Sequence, residues 1–168
     1  MLSKVFPKGH RREGEPTGFK EKLLSGEKIH TIRTNFPLWK KRIKEVQEGR
    51  ACISVRQWKD KPYRSKQIEI ARLTNEDGVG IEDLWLQPIG QMDWTLAAYP
   101  KIDSNDGLSR EDWLSWFESA PRGKALPIIH FTPFRYEQDE PSTPLHSHGR
   151  GSGDSKKSNS RGGKNDNA

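Results

Sequence analysis

The sequence holds a single cysteine, Cys52. No intrachain disulfide can form, and a cysteine-rich zinc centre is excluded. Long apolar runs are missing too. The N-terminal stretch "MLSKVFPKGHRREGEP" has no apolar signal-peptide core, and no run approaches membrane-spanning length. These absences predict a soluble, cytoplasmic protein with no membrane partner. Hydrophobic residues make up only 31% of the chain and the mean hydropathy is −0.96. That scarcity is concentrated at one end. From Glu137 onward the sequence is polar, with Leu145 as its one large aliphatic residue. Such a segment buries too little apolar surface to offset the entropy of ordering it. The expected organisation is therefore one folded domain over 1–136 and a disordered polar tail over 137–168. Within the tail, "HSH" at His146–His148 and "RGG" at Arg161 are too short to carry a metal or RNA role.

Charge is abundant and uneven. The tail's five Lys/Arg balance its five Asp/Glu, so the net charge of +6 resides on residues 1–136. A small basic domain favours anionic partners such as nucleic acid or nucleotides. An inert basic surface explains the charge equally well.

Periodicity places the elements. "PTGFKEKLLSGEK" reads as a short helix with Thr17 as N-cap and Gly26 just past its end, feeding a strand over Lys28–Arg33. In "NFPLWKKRIKEVQEGR", Pro37 suits a first helical turn, and Trp39, Ile43 and Val46 stand at i, i+4, i+7. "ACISVRQW" and "QIEIARL" alternate apolar and polar residues as half-buried strands do, and "GIEDLWL" is strand-like. A third helix opens at "NDGLSREDWLSWF", with Ser109 as cap and Trp113, Trp116 and Phe117 on its packing face. "LPIIHFTPF" is an apolar run of strand length, hence a central strand. Five to six strands with about three inserted helices argue an α+β fold, for which a small β-barrel is the natural closure.

The densest polar cluster is "SGEKIHTIRTN", which crowds Lys28, His30, Thr31 and Arg33 at a strand start. Taken in order, "SGEKIHTIR", "SNDGLSREDWLSWF" and "IIHFTPFRY" resemble the ASCH domain, a PUA-like β-barrel, whose most recognisable motif is GxKxxTxR. The resemblance covers nearly all of residues 1–136. It implies an open barrel with a cleft suited to RNA, nucleobases or nucleosides. It also implies an activity, because some small bacterial ASCH proteins remove the acetyl group from N(4)-acetylcytidine. On that pattern Thr31 is the nucleophile, Lys28 its base, Asp106 the acid, and Arg33 the arginine that ends the motif. Those hydrolases carry Glu where this chain has Asp106, one methylene shorter.

The chemistry sets conditions on the fold. A threonine hydroxyl is a weak nucleophile until a base takes its proton. Lysine does so only when neutral, so its pKa must fall from about 10.4 toward 7. Burial and a neighbouring cation such as Arg33 both push it that way, whereas Asp106 lying against Lys28 would push it back. On a regular strand Thr31 and Arg33 share one face, His30 and Ile32 the other. Lys28 therefore reaches Thr31 only from a turn that precedes strand pairing, which Gly26 permits.

Each residue also has a structural explanation. Lys28 can be a solvated residue, Thr31 a β-former, Arg33 an ion-pair partner and Asp106 a turn former. His30 and His130 fit strand residues hydrogen-bonded to the backbone better than metal ligands, and neither a metal nor a cofactor is expected. A second candidate region is the basic loop, where Arg56, Trp58, Lys59, Lys61, Tyr63 and Arg64 interleave cations with aromatics as single-strand binders do. Three functions follow: a module binding RNA or a modified nucleoside, an amidohydrolase acting on N-acylated cytidine, or a scaffold recruiting partners through its tail. The first is the broadest reading. A monomer is favoured.

Overall fold

The computed structural model describes residues 1–136; the expected tail and its two short motifs lie outside them. Ten main elements follow one another: α1 Phe19–Leu24, β1 His30–Ile32, α2 Phe36–Gln47, β2 Ile53–Trp58, β3 Gln67–Leu73, β4 Gly80–Leu84, α3 Met92–Ala98, α4 Ile102–Asn105, α5 Arg110–Phe117 and β5 Leu126–His130. The five strands form two antiparallel sheets, a three-stranded one in the order β1-β5-β4 and a two-stranded one, β2-β3. The mixed α+β class is as expected. Among the described residues no strand ladder joins the two sheets into a closed barrel.

The apolar run does form the central strand. All five residues of β5 are buried, and it pairs with β1 and β4 at once, His130 lying opposite both His30 and Gly80. Because successive side chains leave a strand on opposite faces, β5 serves two cores. Ile128 packs with Leu84, Ile102, Trp113 and Phe117 on one face, and Ile129 packs with Ile43 and Val46 of α2 on the other. The seam of α2 is thus the one its spacing predicts, and Asn35 caps it by accepting a hydrogen bond from the Leu38 N–H at 3.2 Å.

Three local expectations are corrected. Thr17 is not the N-cap of α1; Gly18 occupies that position in a left-handed conformation. The Thr17 hydroxyl instead donates to the Ser3 carbonyl at 2.7 Å, tying the N-terminal segment down. Among the described residues five α-helices are present where about three were expected, since residues 92–105 fold as α3 and α4. β1 is also shorter than the segment Lys28–Arg33, which leaves Lys28 in the turn before pairing begins. No helix among the described residues is long and apolar enough to cross a membrane.

Candidate functional site

Lys28 owes its position to backbone constraints on both sides. Gly26 adopts a left-handed φ of 77° after α1, and the chain then turns back so that the Lys28 N–H donates to the Lys22 carbonyl at 2.9 Å. The Ile29 N–H donates to the carbonyl of Asn105, at the end of α4, also at 2.9 Å. That bond brings Asp106, the C-cap of α4, against Lys28. The next residue, Gly107, has φ 76° and lies so near that a Cβ there would sit 3.2 Å from the Lys28 Cβ.

The Lys28 side chain is buried, 2% exposed. Its ammonium donates to both the carboxylate and the main-chain carbonyl of Asp106, and it sits 4.2 Å from the centre of the Phe19 ring, a cation–π contact. Burial lowers the Lys28 pKa, and the charges of Arg33 and Lys22 add to that against the opposing Asp106. Burial likewise raises the Asp106 carboxyl, against the opposing Lys28 and Arg33. Both shifts narrow the gap between the two groups, so moving a proton from ammonium to carboxylate costs far less here than in water.

Thr31 and Arg33 follow on β1 and just beyond it. Lys28, Thr31, Arg33 and Asp106 line one recess of about 70 Å³, together with Phe19, Trp116 and Phe117. The structure therefore brings Lys28, Thr31 and Arg33 of the motif together with Asp106. Among the described residues the Thr31 hydroxyl has no hydrogen-bond partner and Arg33 no carboxylate partner. The guanidinium donates to two carbonyls, Ile32 at 3.0 Å and Met1 at 2.8 Å. One requirement on Asp106 fails, because it lies against Lys28 instead of standing apart from it; the burial of Lys28 outweighs the effect.

His30 does not line this recess. Strand alternation sends it to the opposite face, where it is fully buried and its Nε2 is 2.8 Å from the Tyr136 hydroxyl. The expected backbone bond is replaced by this side-chain one. Asn105 Nδ2 donates to the same hydroxyl at 3.0 Å. The other ring nitrogen of His30, Nδ1, is 3.8 Å from Asp106 Oδ1, beyond hydrogen-bond reach. His130 Nε2 lies 2.6 Å from Glu82 Oε2, but out of line for a hydrogen bond. Burial holds His130 down at about 3 and His30 well below its ordinary 6.5. Both are neutral near pH 7. No group of three or more His, Cys, Asp or Glu among the described residues could hold a metal ion.

The basic loop forms a separate surface. Trp58 ends β2, and its ring lies 5.4 Å from that of Tyr63. Both line a hollow of about 400 Å³ with residues 1–5. Tyr63 is 90% exposed and has a left-handed φ of 62°, a conformation that costs a non-glycine residue about 1 kcal/mol or more. The Lys59 carbonyl accepts from Lys4 Nζ at 2.8 Å, while the side chains of Arg56, Lys59, Lys61 and Arg64 are exposed. Sequence reasoning missed four participants: Phe19, Tyr136, Met1 and Leu2. Tyr136 ends a quoted motif and could have been suspected; the other three carry no signal of a site role.

Comparison with known proteins adds no relative: no protein-family model, no curated protein and no solved structure matches this chain.

Proposed function

We propose that this is an ASCH-type, PUA-like domain that binds RNA or a modified nucleoside in the recess of Lys28, Thr31, Arg33 and Asp106. The observation that carries this reading is the convergence of four polar side chains from two distant chain segments on one hollow. One of them is an unpartnered hydroxyl, and another a cation that feels the Asp106 charge but forms no direct ion pair with it. A structural polar cluster would be expected to satisfy itself. The two sheets supply the walls of an open PUA-like barrel, and the exposed cations between Arg56 and Arg64 supply the sequence-independent attraction that a phosphate backbone requires. The reading includes a cytoplasmic, monomeric protein, to which a lone exposed cysteine is suited. Titration with short single-stranded RNA tests it: log affinity falls steeply with log salt, and Lys59, Lys61 and Arg64 substitutions flatten that slope. Absent or salt-independent binding rejects it.

A second reading is favoured by the lowered Lys28 pKa beside the free Thr31 hydroxyl. In this amidohydrolase, Lys28 in its neutral form takes the Thr31 proton as the oxygen attacks the acetyl carbon of N(4)-acetylcytidine. The Lys28–Asp106 pair returns a proton to the departing exocyclic amine, and water then cleaves the acetyl-threonine ester. Incubation with N(4)-acetylcytidine, with cytidine followed by chromatography, decides it. Turnover lost in Thr31→Ala supports the assignment; no turnover, or turnover unaffected by that change, ends it.

A further inference from the structure

The recess is too small for the ligand it is proposed to bind, and the reason lies in the chain itself. A second hollow of about 60 Å³ adjoins it, lined by Trp39, Ile53, Ser54, Val55, Ile129 and Phe131. Four residues line both hollows: Met1, Leu2, Thr31 and Arg33. Each hollow has room for about two waters and none for a nucleobase. Met1 and Leu2 also line the 400 Å³ hollow of Trp58 and Tyr63. Residues 1–2 are thus a partition dividing three spaces. They lie in the seam between the two sheets, with the Leu2 N–H donating to the Arg56 carbonyl of β2 at 2.7 Å and the Met1 carbonyl accepting from Arg33. Within the partition Leu2 is buried, 3% exposed, while Met1 is 46% exposed.

Arg33 is the key to what belongs there. A guanidinium presents five N–H donors in a planar fork shaped for phosphate or carboxylate oxygens. Here two of them meet neutral carbonyls. The Met1 carbonyl is the weaker acceptor in a place where an anionic oxygen would bind more strongly.

We propose that Arg33 is a phosphate subsite occupied by the chain's own Met1 carbonyl, and that the ligand is a phosphate ester which displaces Met1 on binding. This rests on the nucleoside reading above and goes beyond it, because a neutral nucleoside offers only neutral acceptors, no stronger than the carbonyl they would replace. Turning the Met1–Leu2 peptide away gives up the Leu2 N–H bond to the Arg56 carbonyl as well, because both groups belong to one planar unit; it frees the guanidinium and joins the hollows on either side of Thr31. The phosphate is either a mononucleotide's or one in an RNA backbone; in the second case the neighbouring base lies toward Trp58 and Tyr63.

The test compares cytidine, cytidine 5′-monophosphate, the dinucleotide cytidylyl-cytidine and inorganic phosphate by calorimetry on the full chain. The monophosphate binds about tenfold or more tightly than cytidine, the scale of a charge-assisted fork, and the advantage vanishes in Arg33→Gln. Methyl-labelled methionine gives a readout that needs no substitution, since the chain has two methionines, Met1 and Met92. The monophosphate moves the Met1 signal and leaves Met92 in place. A dinucleotide that binds tighter still, with the gain lost in Tyr63→Ala, identifies a backbone phosphate; no gain identifies a mononucleotide. Equal affinity for cytidine and its monophosphate, or binding with the Met1 signal unmoved, overturns the proposal and leaves the nucleoside reading standing. Phosphate that moves Met1 in a protein that ignores cytidine supports the subsite and rejects the nucleoside reading.

Discussion

Two basic regions of this molecule hold their cations in opposite ways. At Lys28 the ammonium is sealed from water against Asp106 and the Phe19 ring, two of its donors taken by Asp106. In the loop after β2, Lys59, Lys61 and Arg64 stand in solvent with their charges free. Burial is what separates them. It makes the proton on Lys28 negotiable and its removal structurally expensive, whereas the loop cations cost little to change and act at a distance.

Removing Asp106 breaks this contrast most severely. Asp106→Ala leaves an unpaired buried ammonium and destabilises the fold by about 3–5 kcal/mol, measured as a urea midpoint. The double variant Lys28→Met with Asp106→Leu recovers most of the loss, because two apolar side chains replace two desolvated charges. A single variant as stable as the original would show that Lys28 is hydrated after all.

The pH dependence comes next. His130 stays neutral when folded, burial holding it at about 3, but ionises near 6.5 once unfolded. The unfolded chain therefore binds more protons, and stability falls as pH drops from about 6.5 toward 3, by up to about 1.4 kcal/mol per unit for this residue. His30, also lowered by burial, adds in the same direction; Glu82 and Asp106, both raised by burial, oppose it. Urea midpoints at several pH values check the sign, and His130→Asn flattens the slope.

A smaller loss follows from Gly107→Ala. The left-handed φ and the nearby Lys28 Cβ cost about 1–3 kcal/mol together, with Lys28 as the neighbour that must give way. In the loop the same scale of change does little. Lys61→Ala and Arg64→Ala alter stability by less than about 0.5 kcal/mol, yet each lowers the salt slope of single-strand binding by about 0.7.

The sequence foretold the strands well where a local rule decides. Alternation marked β2 and β3, and the unbroken apolar run marked β5. Thr31, Arg33 and their separation from His30 followed from strand geometry, and the need for Lys28 to precede the strand was visible in its three-residue offset. Residues 92–105 hid their helices for physical reasons. Gln91 makes no side-chain capping bond, and α4 is a four-residue turn entered through a left-handed Lys101. Contacts between distant segments hid completely. Nothing in "MLS" announces that Met1 covers Arg33, and nothing near residue 30 announces a bond to Tyr136.

The most direct test of the central claim is an amide chemical-shift map of the protein titrated with a short single-stranded RNA carrying N(4)-acetylcytidine. The account predicts its largest changes at Thr31, Arg33 and Gly107, with smaller ones through Trp58–Lys66. Changes confined to the exposed loop, with the buried recess silent, would contradict it.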